Sequence, residues 1–143
     1  MKSVSQTLFP AKFLCLIGHI AMIIIIFFVK EDNIFAGIPY YAVKNDSDYN
    51  QAWDSLVAAL SLSIIVLLFE LSVLLVGVTM QHPFVTVTSI AFHSLGVIFL
   101  IWYFLLSWRY QIIWAIWIFT NIVPFTMELC TLILFKIFYP TKN

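Results

Sequence analysis

Charge is scarce in this 143-residue chain: 10% of its residues are charged, and seven Lys and Arg balance seven Asp and Glu. A net charge of zero supplies no basic field to recruit nucleic acid. Cysteine is sparser still, at two residues. Cys15 and Cys130 both sit in apolar runs, provide neither a disulfide framework nor a zinc spacing, and read as small packing residues; S-acylation of Cys15 is the one modification its position near a span end allows. No Glu-x-x-His or His-Glu-x-x-His spacing prepares a metal site. No catalytic, cofactor-binding or metal-ligating residues are assigned, and no enzyme is expected.

Apolar residues dominate instead, at 63%, a balance too hydrophobic for a soluble domain of this size to hide in one core. The bilayer must act as solvent. Four long apolar stretches, near residues 11–29, 55–78, 86–107 and 112–135, each meet the requirement of about 20 residues for crossing roughly 30 Å of hydrocarbon. They lack the alternation of barrel strands. The expected fold is therefore all-α, a single four-span transmembrane bundle of two antiparallel hairpins. The first stretch contains His19, outlasts an ordinary signal-peptide core and ends without a small-x-small cleavage site, so it should remain as a helix.

A loop over residues 30–54 is the one sizeable connection, and it leaves no room for a catalytic domain. With four spans, both termini share a side. Lys2, Lys12, Lys136 and Lys142 against Lys30, Lys44 and Arg109 favour cytosolic termini. The triplet Asn45-Asp46-Ser47 is a sequon, usable only if that loop is luminal. Trp53, Trp102, Tyr103, Trp108, Tyr110, Trp114 and Trp117 gather at the loop end as an interfacial belt. Glycines 18, 77 and 96 are expected to allow close helix approach.

Ionisable groups inside spans are costly and face bundle interiors. His19, Glu70, His93 and Glu128 each lie about seven to nine residues from the proposed cytosolic ends, roughly 10 to 14 Å deep at 1.5 Å per residue. They share helix faces with small and polar residues: Thr86, Ser89 and Gly96 beside His93, Asn121, Pro124 and Thr131 beside Glu128, and Ser63 and Gly77 beside Glu70. Pro124 should distort its helix one turn before Glu128. Such a layer fits a buried hydrogen-bond network that fixes helix register, a proton pathway or metal site, or groups that share a depth without being spatially joined.

Several strings carry a further signal: Pro10-Ala11-Lys12-Phe13-Leu14 with His19, Asp32-Asn33-Ile34 followed by Pro39, and Leu56-Val57-Ala58-Ala59-Leu60-Ser61. Glu70-Leu71, Gly77-Val78-Thr79-Met80, Ser89-Ile90-Ala91-Phe92-His93 and Glu128 follow in order. In order and spacing the chain resembles the transmembrane protein 107 family over nearly its whole length. That resemblance implies a membrane scaffold of the ciliary transition zone, acting with tectonic and other Meckel syndrome module proteins in ciliogenesis and Hedgehog signalling. The competing class is a small proton- or metal-linked transporter that uses the polar layer.

Overall fold

The computed structural model describes residues 4–44, 46–77 and 82–138, and in these it is helical with no strand. Helix α1 (Val4–Val29) leads through a short α2 (Glu31–Phe35) to α3 (Ser47–Val76), and α4 (Pro83–Leu105) follows. The last span combines α5 (Ile112–Trp117), a π turn (Ile118–Ile122) and α6 (Val123–Phe138). Four apolar helical stretches long enough to cross a bilayer result: Thr7–Val29, Ser47–Val76, Pro83–Leu105 and Ile112–Ile137. Asn45 lies outside the described residues.

The second span begins eight residues before the expected position, at Ser47 rather than residue 55, and shortens the loop accordingly. Its first turns escape a hydropathy reading because Asp48, Asn50, Gln51 and Asp54 face outward. Tyr49, Ala52 and Leu56 nevertheless recur at helical spacing and are buried. Asp48 occupies the first turn, where a carboxylate complements the helix dipole. At the other end Gly77 closes α3 in a left-handed conformation (φ 81°), its N–H reaching the Val73 and Leu74 carbonyls. It has open space where a Cβ would stand, so it ends a helix and does not bring two together.

α1 packs against α3 and α4, and the last span packs against α4 and α3. Individual contacts fix the directions. Lys30, just past α1, covers the ring of Trp53 near the start of α3, so these two helices are antiparallel. Cys15 meets Ser94 and Gly18 lies against Val97, so α1 and α4 run parallel. Ser89 reaches Glu128 while Gly96 lies against Thr120, which makes α4 antiparallel to the last span. Around the ring, two antiparallel hairpins lie side by side. α3 faces α4 across the centre, and α1 faces α6.

The loop end is fastened by α2. Asn33, buried, donates to the carbonyls of Tyr103 (3.0 Å) and Trp108 (2.8 Å), and its own carbonyl accepts the Tyr110 N–H (3.0 Å). This relieves the unpaired carbonyls that any helix end leaves and ties the first connection to the turn between the last two spans, where Ser107 takes φ 44°. One member of the expected aromatic belt departs from it. Tyr103 is fully buried in the core, whereas Trp53 is a platform for Lys30, whose ammonium lies 3.9 Å from the ring centroid and donates to the Phe27 carbonyl. Burial pushes the Lys30 pKa below its ordinary value, and nearby Glu31 pulls it back in part.

Candidate functional site

His19, Glu70, His93 and Glu128 are all fully buried, and each comes from a different span. Helix periodicity explains the convergence: the buried face of α4 is Thr86, Ser89, His93, Gly96, Leu100 and Tyr103, one stripe at spacings of three and four. His93 Nε2 lies 2.6 Å from Glu70 Oε2, and His93 Nδ1 lies 3.2 Å from His19 Nδ1. Three of the four therefore form one chain, centred on His93.

Glu128 is bound differently. Its Oε1 accepts from the Lys12 ammonium and from Ser89 Oγ at 3.2 Å. Lys12 is fully buried, so it does not flank the membrane as the orientation count assumed. The apolar hydrocarbon of Lys12 gives no hint of its location, but its spacing does: Lys12, Leu16, His19, Ile23 and Ile26 form one buried stripe on α1. The fifth ionisable member of the layer was thus legible from helical phase and obscured by its nearness to the span end.

Space for the chain comes from Gly96. A Cβ there would lie 2.6 Å from His19 Cε1 and 3.0 Å from Thr120 Cβ, so only glycine leaves the imidazole its place. Gly18 makes no such demand, since its nearest neighbour would be at an ordinary 3.7 Å. Thr120 and Asn121 reach the core from the π turn directly before Pro124, a residue with no N–H to continue the ladder. Thr120 Oγ1 donates to the Ile116 carbonyl at 2.8 Å and accepts from Asn121 Nδ2.

The layer's bonds leave His19 Nε2, Glu70 Oε1 and Glu128 Oε2 buried without a hydrogen-bond partner. Among the described residues no group of three His, Cys, Asp or Glu side chains converges as a metal site. The two acid–base contacts follow the two diagonals of the bundle: Lys12–Glu128 joins α1 to α6, and Glu70–His93 joins α3 to α4.

Comparison with known proteins puts this arrangement in a family. The TMEM107 model, described as a transmembrane protein, matches residues 8–132. The chain belongs to the transmembrane protein 107 family. It is 31% identical to transmembrane protein 107 of Rattus norvegicus over 121 residues, 85% of each chain. The Homo sapiens protein is 29% identical over 122 residues, covering 85% of this chain and 86% of its own. That of Danio rerio is 28% identical over 131 residues, covering 92% of this chain and 96% of its own. No solved structure matches. The span matched to the transmembrane protein 107 family runs from before Lys12 to beyond Glu128 and so includes the whole buried layer.

In this family member the cysteines stay apart from the layer. Cys15 Sγ is 3.2 Å from Ser94 Oγ beside an open groove of about 370 Å³ between α1 and α4, and Cys130 is exposed. His82 is the exposed residue before α4, and its carbonyl accepts the Thr86 N–H. Arg109 is exposed in the turn before α5.

Proposed function

We propose that this protein is a non-enzymatic scaffold of the ciliary transition zone, holding tectonic and other Meckel syndrome module proteins in place for ciliogenesis and control of ciliary membrane composition. The address is what the resemblance to the transmembrane protein 107 family implies. The observation that carries the mode of action is the division of the molecule: its intramembrane ionisable groups are bonded to one another inside, while its outward surface is apolar. Phe28, Ile65, Leu105 and Phe119 are among the large side chains exposed on the four spans. Without a hydrophobic force between helices in lipid, association depends on packing and shape, which a rigid cross-braced bundle provides. In the same reading the termini are cytosolic and the loop bearing Asn45 is luminal, an orientation supported by the Asn45-Asp46-Ser47 sequon, since without buried Lys12 the Lys and Arg count is three on each side.

The test is a tagged copy in ciliated cells. Concentration at the ciliary base, with other transition-zone membrane proteins displaced on deletion, is expected. Uniform distribution over the cell membrane with that composition unchanged would reject the scaffold, and pH-driven flux in liposomes abolished by Glu70→Gln would favour the transporter.

A further inference from the structure

His93 is engaged at both ring nitrogens, by Glu70 Oε2 at one and His19 Nδ1 at the other. Each of those bonds holds one proton, so the chain Glu70–His93–His19 needs two protons to make both. Its free ends are Glu70 Oε1 and His19 Nε2, which are buried and unpartnered. With two protons, Glu70 is a carboxylate accepting from His93 Nε2–H, and His93 Nδ1 accepts from His19 Nδ1–H. That state carries one net negative charge. With three, Glu70 Oε2–H donates to His93 Nε2, His93 Nδ1–H donates to His19 Nδ1, and His19 Nε2 holds the third proton. That state is neutral.

Surrounding charges do not settle the balance by themselves. Lys12 on α1 and Glu128 on α6 face the chain and neutralise each other, with Lys12 in electrostatic reach of Glu70 and His93. Cys15 is bonded to Ser94, and Cys130 is exposed. Tyr103 on α4 and Tyr49 and Asp54 on α3 lie toward the loop end, more than two helical turns away, and the π turn contributes Thr120 and Asn121, neither of which titrates. The two-proton state therefore buries a net charge, whereas the three-proton state buries one unsatisfied N–H. Desolvating a charge costs more than leaving one donor unpaired, yet both fit the same heavy-atom positions.

We propose that Glu70, His93 and His19 form one proton-binding site that takes up and releases a single proton as a unit. A proton delivered from the aqueous phase as hydronium bonds to the lone pair of His19 Nε2. The proton on His19 Nδ1 passes to His93 Nδ1, and that on His93 Nε2 passes to Glu70 Oε2. The carboxylate becomes a carboxylic acid, one water is left by the hydronium, and both rings remain neutral while exchanging tautomers. The inference is independent of the scaffold reading, since a bundle can hold partners in either state.

The experiment uses the full chain, labelled with 15N-histidine, in phosphatidylcholine bilayers, followed by solid-state NMR and infrared spectroscopy from pH 4 to 10. We expect His93 to change from the Nε2–H to the Nδ1–H tautomer, and His19 from Nδ1–H to Nε2–H, as pH falls, with one shared midpoint. A carboxylic acid C=O band should rise at that midpoint and be missing in Glu70→Gln. His19→Gln should break the chain and shift the band's midpoint by one pH unit or more. Imidazolium formation at either ring, separate midpoints, or spectra constant across the range would overturn the proposal. The unmodified protein decides these outcomes even where a variant fails to fold.

Discussion

Lys12 changes the physics of this bundle more than any other residue, because it converts a set of two acids and two imidazoles into one that includes a compensating cation. Removing it leaves Glu128 buried with Ser89 as its remaining donor. We expect Lys12→Met to cost about 3 to 5 kcal/mol in detergent unfolding followed by circular dichroism, with Lys12→Met/Glu128→Leu recovering at least half of it. A loss in the double variant equal to the sum of those in Lys12→Met and Glu128→Leu would show that the ion pair is not coupled. Gly96→Ala should cost about 1 to 3 kcal/mol through displacement of His19, while Gly18→Ala, with ordinary contact to Val97, should leave the unfolding midpoint nearly unchanged. A reversed order would contradict the packing. At the surface, Lys44 donates to Glu31, and that hydrogen bond together with the carboxylate's charge raises the Lys44 pKa above its ordinary 10.5. A raised cation pKa stabilises the fold below 10.5 and loses its effect as pH rises beyond, so this exposed pair should give no pH dependence between 6 and 9.

At the scale of elements, α2 does more than its five residues suggest, because Asn33 satisfies backbone groups on both sides of the turn between α4 and α5. Asn33→Ala should take the side-chain donor from the Trp108 carbonyl and leave that of Tyr103 with the Trp108 N–H alone, at a cost of about 1 to 3 kcal/mol. Its signature is local: amide hydrogen exchange over residues 106–111 should accelerate at least tenfold while that of residues 60–70 is unchanged. Uniform protection would mean that the turn holds itself. The π turn is the other element with a task, since it absorbs one extra residue between α5 and α6 while both keep their inward faces. Deleting Phe119, which is exposed, should close the turn to an ordinary α-helix and leave Glu128 against Lys12. Lys12→Met should then cost as much in the deletion variant as in the full chain; a smaller cost would mean that the π turn positions the ion pair.

For the whole molecule, the two diagonal acid–base contacts act as cross-braces in a bundle whose neighbours meet through apolar side chains and a few polar pairs, His19–His93 and Cys15–Ser94 between α1 and α4 and Ser89–Glu128 between α4 and α6. Crossing the centre twice ties all four spans into one unit, so the bundle should unfold in a single transition with coincident midpoints by tryptophan fluorescence and circular dichroism. Separate midpoints would indicate hairpins that are stable alone. On the outside, a polar substitution such as Ile65→Asn should disturb assembly with other membrane proteins in cells without lowering the unfolding midpoint of the purified protein. A fall in that midpoint with partner recovery intact would move Ile65 from partner contact to internal packing.

The number of spans, their helical nature and the inward faces of α4 and α6 were legible in the chain, because hydropathy over about 20 residues and a 3.6-residue period are local properties. The positions of His19, Glu70, His93 and Glu128 on those faces belonged to the same local information. Which group bonds to which did not, since it depends on the order of helices around the bundle. A hairpin-by-hairpin reading sets His19 beside Glu70 and His93 beside Glu128. Tertiary packing instead makes α1 and α4 parallel neighbours, so His19 meets His93, Glu70 reaches His93 across the centre, and Glu128 is left to Lys12. Hydrophobic length determines that a segment crosses the membrane; the side chains that meet there are chosen by the packing of helices far apart in sequence.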